Sequence, residues 1–207
     1  MVDERLDKQI DFLMEVDRLK TVYRRSYLAS ESSRRENSAE HSWHVAITAM
    51  ILAEHCREEV NLLHALKMLL IHDIVEIDAG DTGAYDSIGA LDKEDREKQA
   101  AERIFNLLPI EQAQEVQGLW VEFEERITPE ARFTRALDRL MPLLQNYYTQ
   151  GKRWLEDSIT YEQVMEVNQV IRESSPELWQ FVLTMIDECA SKGYLPRGDK
   201  TAGDVAI

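Results

Sequence analysis

Apolar residues recur at helical spacing along most of the chain. Leu6, Ile10, Leu13, Val16 and Leu19 fall near a 3.6-residue period and predict a first helix over residues 5–19. The pattern then fails. Residues 20–38 (KTVYRRSYLASESSRRENS) are polar, arginine-rich and serine-rich, and predict a long loop with at most a short turn. Long ordered loops inside compact domains are often functional. Asn37, with Glu40 three residues on, carries the capping-box signature of a second helix from about Ala39 to Cys56, with His41 in its first turn. Asn61 caps a third helix, LLHALKMLLIHDIVEIDAGD over residues 62–81, whose end is marked by Gly80. Asp92 opens a fourth helix, and a fifth covers about 110–126 after Pro109. Thr128 followed by Pro129 is a strong start signal, an N-cap before a proline at the first helical position. That sixth helix runs to about Gln150 on a stripe of Phe133, Ala136, Leu137, Leu140, Leu144 and Tyr147, interrupted by Asp138. Thr160 with Gln163 opens a seventh, and Pro176 an eighth that ends near Gly193. No strand, repeat or interdomain linker is expected. The prediction is one all-α domain over residues 1–193, a single-domain helical bundle, and a flexible tail over 194–207.

Composition narrows the class. The chain has 207 residues, enough for one domain with a real core. A net charge of −15 argues against a nucleic-acid polymer or an anionic membrane as partner, since both want a basic face. It leaves room for a small phosphorylated ligand, because a metal and one or two arginines can invert the sign inside a pocket. Two cysteines make no disulfide framework and suggest a reducing, cytoplasmic setting. The N-terminus MVDERLDKQIDF is too charged for a signal peptide, and no apolar run is long enough to span a membrane.

The apolar third helix ends in an unusual way. Its last turns carry His72, Asp73 and Glu76, which are costly to bury unless something pairs with them. His72 and Glu76 share a face, and Asp73 lies about 100° round the helix. A divalent cation off this end could meet His72 and Asp73 together, with Glu76 facing a water. His41 and Asp138, on two other helices, complete a set of imidazole and carboxylate that suits a first-row metal and leaves positions open. Calcium would want more oxygen ligands, and a structural zinc site more cysteine.

The quartet His41, His72-Asp73, Asp138 resembles the defining pattern of the HD-domain metal-dependent phosphohydrolases. Ala39-Glu40-His41-Ser42, then His72-Asp73 with Glu76, then Gly80-Asp81 is similar to the branch that contains the 5'-deoxynucleotidases. The resemblance covers about residues 5–150. It implies an HD-type bundle with the metal site between helices. His41, His72, Asp73 and Asp138 would hold one divalent cation, commonly manganese or cobalt, with magnesium, iron or zinc as alternatives. Glu76 would orient or deprotonate the attacking water, and Asp81 would meet the sugar or the leaving oxygen. Arg25, with Arg24 beside it, matches the phosphate-gripping arginine. In the nucleotidases a bulky aromatic follows that arginine; here the position is Ser26, with Tyr27 next. Trp43 is the aromatic best placed to touch a substrate. The implied partners are a small phosphorylated nucleotide and, by family habit, a second copy of the chain.

The leading expectation is therefore release of phosphate from a nucleoside 5'-monophosphate or a similar small phosphoester. Competing readings are hydrolysis of a larger nucleotide such as a guanosine polyphosphate, and a metal- or nucleotide-binding module without turnover. A di-iron oxygenase would need further histidines, and there is none after His72. His44 is expected in a pocket wall or the core, and Asp78 and Asp86 are weaker candidates for a second metal.

Overall fold

The computed structural model of the protein describes residues 4–198. Residues 1–3, and residues 199–207 of the expected tail, lie outside the described residues. The elements are helix α1 (Glu4–Asp17), strands β1 (Tyr23–Tyr27) and β2 (Arg35–Asn37), then helices α2 (Ser38–Leu52), α3 (Leu62–Ile71), α4 (Glu76–Ala79), α5 (Lys93–Phe105), α6 (Ile110–Glu125), α7 (Pro129–Tyr148), α8 (Lys152–Glu156), α9 (Tyr161–Val167), α10 (Val170–Ser174) and α11 (Pro176–Ser191). Among the described residues no helix is long and apolar enough to cross a membrane.

The capping residues read from the sequence act as caps. Asn37 accepts from the Glu40 backbone N–H, and the Glu40 carboxylate returns a bond to the Asn37 N–H. Asn61 accepts from His64, Thr128 from Ala131 and Thr160 from Gln163. Each satisfies a backbone donor that the first helical turn would otherwise leave open.

Two large apolar cores result, with a small cluster of Met68, Phe123 and Ala131 beside them. One gathers Val45 and Ala49 of α2, Leu69 of α3, Phe133, Leu137 and Leu140 of α7, and Val182 and Ile186 of α11. The other gathers Phe12 of α1, Ile74 and Val75, Ile104 and Phe105 of α5, and Trp120 of α6. The chain passes from the first core to the second between Leu69 and Ile74, so His72 and Asp73 sit at the seam.

Three expectations are corrected. The 20–38 segment is not a loop: β1 and β2 pair antiparallel, Tyr23 with Asn37 and Tyr27 with Arg35, with an irregular register between them. The third helix does not carry His72, Asp73 and Glu76 on one continuous run. It closes at Ile71, and tight turns from Ile74 N–H to Ile71 and from Glu76 N–H to Asp73 lead into the single turn of α4. Gly80 ends that turn at φ 74°. The chain from residue 194 is held to the body as far as Gly198: Leu195 is buried, Tyr161 N–H donates to the Pro196 carbonyl, and Gly198 N–H to Glu162.

Candidate functional site

The seam between the cores brings together His41 from α2, His72 and Asp73 from the turn after α3, and Asp138 from α7, all buried. One ligand-capable atom each from His41, His72 and Asp73 lie within 4.8 Å of one another. Asp138 closes the group from α7, its Oδ1 3.0 Å from His41 Nε2 and 3.8 Å from His72 Nε2.

The imidazoles are oriented from behind. His72 Nδ1 is 2.7 Å from the Leu69 carbonyl, so it carries the proton and leaves the Nε2 lone pair facing inward. That Nε2 is buried and, among the described residues, has no hydrogen-bond partner, although Asp73 Oδ1 lies 3.0 Å away in poor alignment. His41 Nδ1 is 3.3 Å from the buried carboxylate of Glu36, which turns its Nε2 the same way. Two inward ring nitrogens and two carboxylates on a common point are a donor set for a borderline divalent cation. The residues present fit such an ion.

Charge in the site is dense. Arg24, from β1, reaches into its centre: Nη1 is 2.7 Å from Asp73, 3.9 Å from Glu76 and 4.0 Å from Asp81, and Nη2 is 3.8 Å from Asp138. Burial opposes its charge, but Asp73, Glu76, Asp81 and Asp138 together hold its pKa above the ordinary value. Burial also opposes the charged forms of His41 and His72. The carboxylates around them win, and both rings are held above the usual histidine value. Asp138 is held well below the carboxylate range: burial works against this, and the bond to His41, the nearby His72 ring and the charge of Arg135 outweigh it. Glu76 goes the other way. Burial first, then the neighbouring Asp73, push it well above its ordinary value. Its Oε2 accepts a 2.6 Å bond from Ser38, which leaves Oε1 toward the site. Asp81 is likewise raised by burial, against the pull of Arg24.

A cavity of about 330 Å³ opens from His72 and Asp73 past Glu76, Asp81 and Asp138. That is the size class of a small-molecule site.

Of two expected substrate contacts, Arg25 lines the cavity and Trp43 does not. Arg25 is at the cavity wall, but its side chain is half-exposed, 3.9 Å from Asp86, and Arg24 takes the central place. Strand geometry sends neighbouring side chains to opposite faces, and it is Arg24 and Ser26 that point inward. Trp43 is 63% exposed on the outer face of α2, stacked loosely on the exposed His44, and forms no part of the cavity wall. Asp78 pairs with Arg103, and Asp86 accepts from the Gly89 N–H. Sequence reasoning missed Glu36, Ser38 and Arg135. Glu36 is 2% exposed, and a glutamate five residues before a histidine carries no periodic signal.

A family model described as HD domain matches residues 16–179. The 5'-deoxynucleotidase HDDC2 of Xenopus laevis is 31% identical over 136 residues, which is 66% of this chain and 66% of that protein. The human protein of the same name is 31% identical over 136 residues, 66% of this chain and 65% of its own length. The chain thus spans just under two thirds of these curated relatives. A solved structure of a predicted metal-dependent phosphohydrolase from Magnetospirillum magnetotacticum is 47% identical, with a TM-score of 0.90, covering 95% of this chain and 100% of the other. An HD-domain phosphohydrolase from Listeria innocua, 17% identical, shares the fold at a TM-score of 0.58 over 90% of this chain and 95% of its own.

Proposed function

Because the chain belongs to the HD-domain family, we propose that it is a metal-dependent phosphohydrolase that releases phosphate from a nucleoside 5'-monophosphate. The observation that carries this reading is the buried His72 Nε2, left without a hydrogen-bond partner and facing His41, Asp73 and Asp138.

His41, His72, Asp73 and Asp138 would hold one divalent cation, manganese or cobalt by the resemblance. Bound there, the cation supplies a lowered pKa for water and neutralises phosphoryl charge. The chain's own residues do the rest. Glu76 takes the proton of the attacking water. Burial and the neighbouring Asp73 raise its affinity for that proton, and Ser38 fixes its orientation. Arg24, rather than Arg25, offers the guanidinium that holds the phosphoryl oxygens as a fork. Asp81, at the cavity wall beside Arg24, meets the sugar or the leaving oxygen. The P–O ester bond breaks, the nucleoside oxygen takes a proton, and inorganic phosphate leaves. The deoxy sugar is proposed from the names of the relatives alone.

Two coarser expectations go with this reading. Both cysteines are free, in keeping with a cytoplasmic setting. Exposed apolar faces on α1 (Leu6, Ile10, Leu13) and α2 (Trp43, Ile47, Ile51) are compatible with a homodimer, which sedimentation would test.

The deciding experiment is phosphate release from a panel of ribo- and deoxyribonucleoside 5'-monophosphates, with manganese, cobalt, magnesium, iron and zinc in turn. Release from at least one monophosphate, abolished by chelation, is expected. No release from any phosphoester with any metal would leave a binding module.

A further inference from the structure

The cavity continues well beyond the carboxylate cluster. Its lining also includes Tyr85, Trp154 and Asn168, with Arg139 of α7. Arg139 follows Asp138 directly, so the two side chains leave the helix about 100° apart.

The other arginines around the cavity are engaged. Arg24, assigned above to the reacting phosphate, lies among Asp73, Glu76, Asp81 and Asp138. Arg135 donates to Asp138 at 3.0 Å and lies over the Phe123 ring. Arg153 pairs with Asp157 and Glu156, and Arg25 with Asp86. Arg139 differs: among the described residues its guanidinium makes no hydrogen bond and no ion pair. The charges in its field are Arg135 and Arg126, which repel it, and Asp138, which already bonds to His41 and Arg135. Arg139 is partly exposed at the cavity wall, and its guanidinium donors are left for an anion. Beside it, the Tyr85 hydroxyl accepts from Asn168 Nδ2 at 3.4 Å, which leaves its own proton to donate.

We propose that Arg139, with the Tyr85 hydroxyl, forms a second anion subsite, and that the substrate carries a second phosphoryl group remote from the one hydrolysed, as in a nucleoside 3',5'-bisphosphate. The proposal rests on the phosphohydrolase reading for the reacting end. The second phosphate undergoes no chemistry. It is a handle that a planar guanidinium can grip through two parallel hydrogen bonds, and it sets which substrate binds.

The test uses the full chain loaded with the divalent cation that supports turnover. Kinetics are compared for adenosine 5'-monophosphate and adenosine 3',5'-bisphosphate, which share base and sugar. The bisphosphate is expected to show a KM lower by roughly tenfold to a hundredfold, the range of a charge-assisted hydrogen bond. Arg139→Gln should erase most of that preference, and Arg139→Lys should restore part of it. Equal kcat/KM for the two substrates in the unaltered protein overturns the proposal, whether or not the variants fold. So does an equal loss on both substrates in Arg139→Gln, which would put Arg139 on the reacting phosphate. Absence of turnover on every monophosphate is a failure of the phosphohydrolase reading instead. In that case calorimetric titration of metal-free protein with the same two nucleotides decides. Tighter binding of the bisphosphate, lost in Arg139→Gln, supports the subsite, and equal binding overturns it.

Discussion

Glu36→Gln separates the support of the site from its bulk. Glu36 is 2% exposed, its Oε2 lies 3.3 Å from His41 Nδ1, and Arg24 Nε is 3.8 Å from it. Burial raises its pKa, but the His41 bond and the charges of His41 and Arg24 hold it below the ordinary value, so it is a carboxylate at neutral pH. Glutamine keeps the volume and an acceptor oxygen but removes the charge. A hydrogen bond to a charged group is worth about 1.5–3 kcal/mol, against about 1 for a neutral one, so roughly 1–2 kcal/mol of His41 orientation and basicity is lost. At 1.4 kcal/mol per factor of ten, divalent-cation affinity should fall roughly fivefold to thirtyfold, overlapping the range known for residues that orient metal-binding histidines. Metal-free protein would be titrated with manganese against a chromophoric chelator, with thermal melts to confirm folding. Activity at saturating metal should drop by less than affinity does. An affinity within twofold of the unaltered protein, with an unchanged melt, would refute the argument that Glu36 sets the His41 tautomer.

The remaining predictions follow from the same geometry. Glu76→Gln, which keeps the volume beside Ser38, should lower kcat about 10²–10⁴-fold while metal affinity stays within a few-fold; equal activity would remove Glu76 as the base. Thermal melts of metal-free protein should show stability falling as pH rises above about 6.5. His41 and His72 have folded pKa values above their unfolded ones, so their contribution is complete below the unfolded value and is lost as pH rises through the folded ones. Glu76, also raised, acts in the same direction, whereas the depressed Asp138 matters only in acid, below about 3.9. Saturating metal should reverse the trend, because its ligands bind deprotonated. Leu137→Ala removes a fully buried side chain of α7 and should cost about 2–5 kcal/mol in denaturant unfolding; a cost under 1 kcal/mol would contradict its place in the core.

The helices were legible because caps and apolar stripes agree at Asn37, Asn61, Thr128 and Thr160. The four candidate ligands were legible as well, since histidine and aspartate at the end of an apolar helix have no cheap alternative partner. The hairpin was not. Its buried positions are polar, Arg24 and Ser26 on β1 and Glu36 and Asn37 on β2, so no apolar alternation marks either strand. The same substitution of polar for apolar residues hid which arginine enters the site. Reading KTVYRRSY as a loop removed the two-residue period that separates Arg24 from Arg25. Trp43 misled for the opposite reason: it sits next to Ser42 on the ligand helix, but the turn of α2 carries it outward.

Gly151, at φ 72°, closes α7, and a Cβ there would collide with the carbonyl of Tyr194. Tyr194 is in turn fixed by its N–H to Cys189, and Pro196 by Tyr161. The helix that presents Asp138 and Arg139 is therefore braced at its end by backbone made more than forty residues later. During synthesis His41, His72 and Asp73 leave the ribosome early, whereas the backbone that meets Gly151 follows only with residues 194–196. Nascent chains stalled before that point should lack Leu195 in the first core and the backbone contact at Gly151 behind the end of α7.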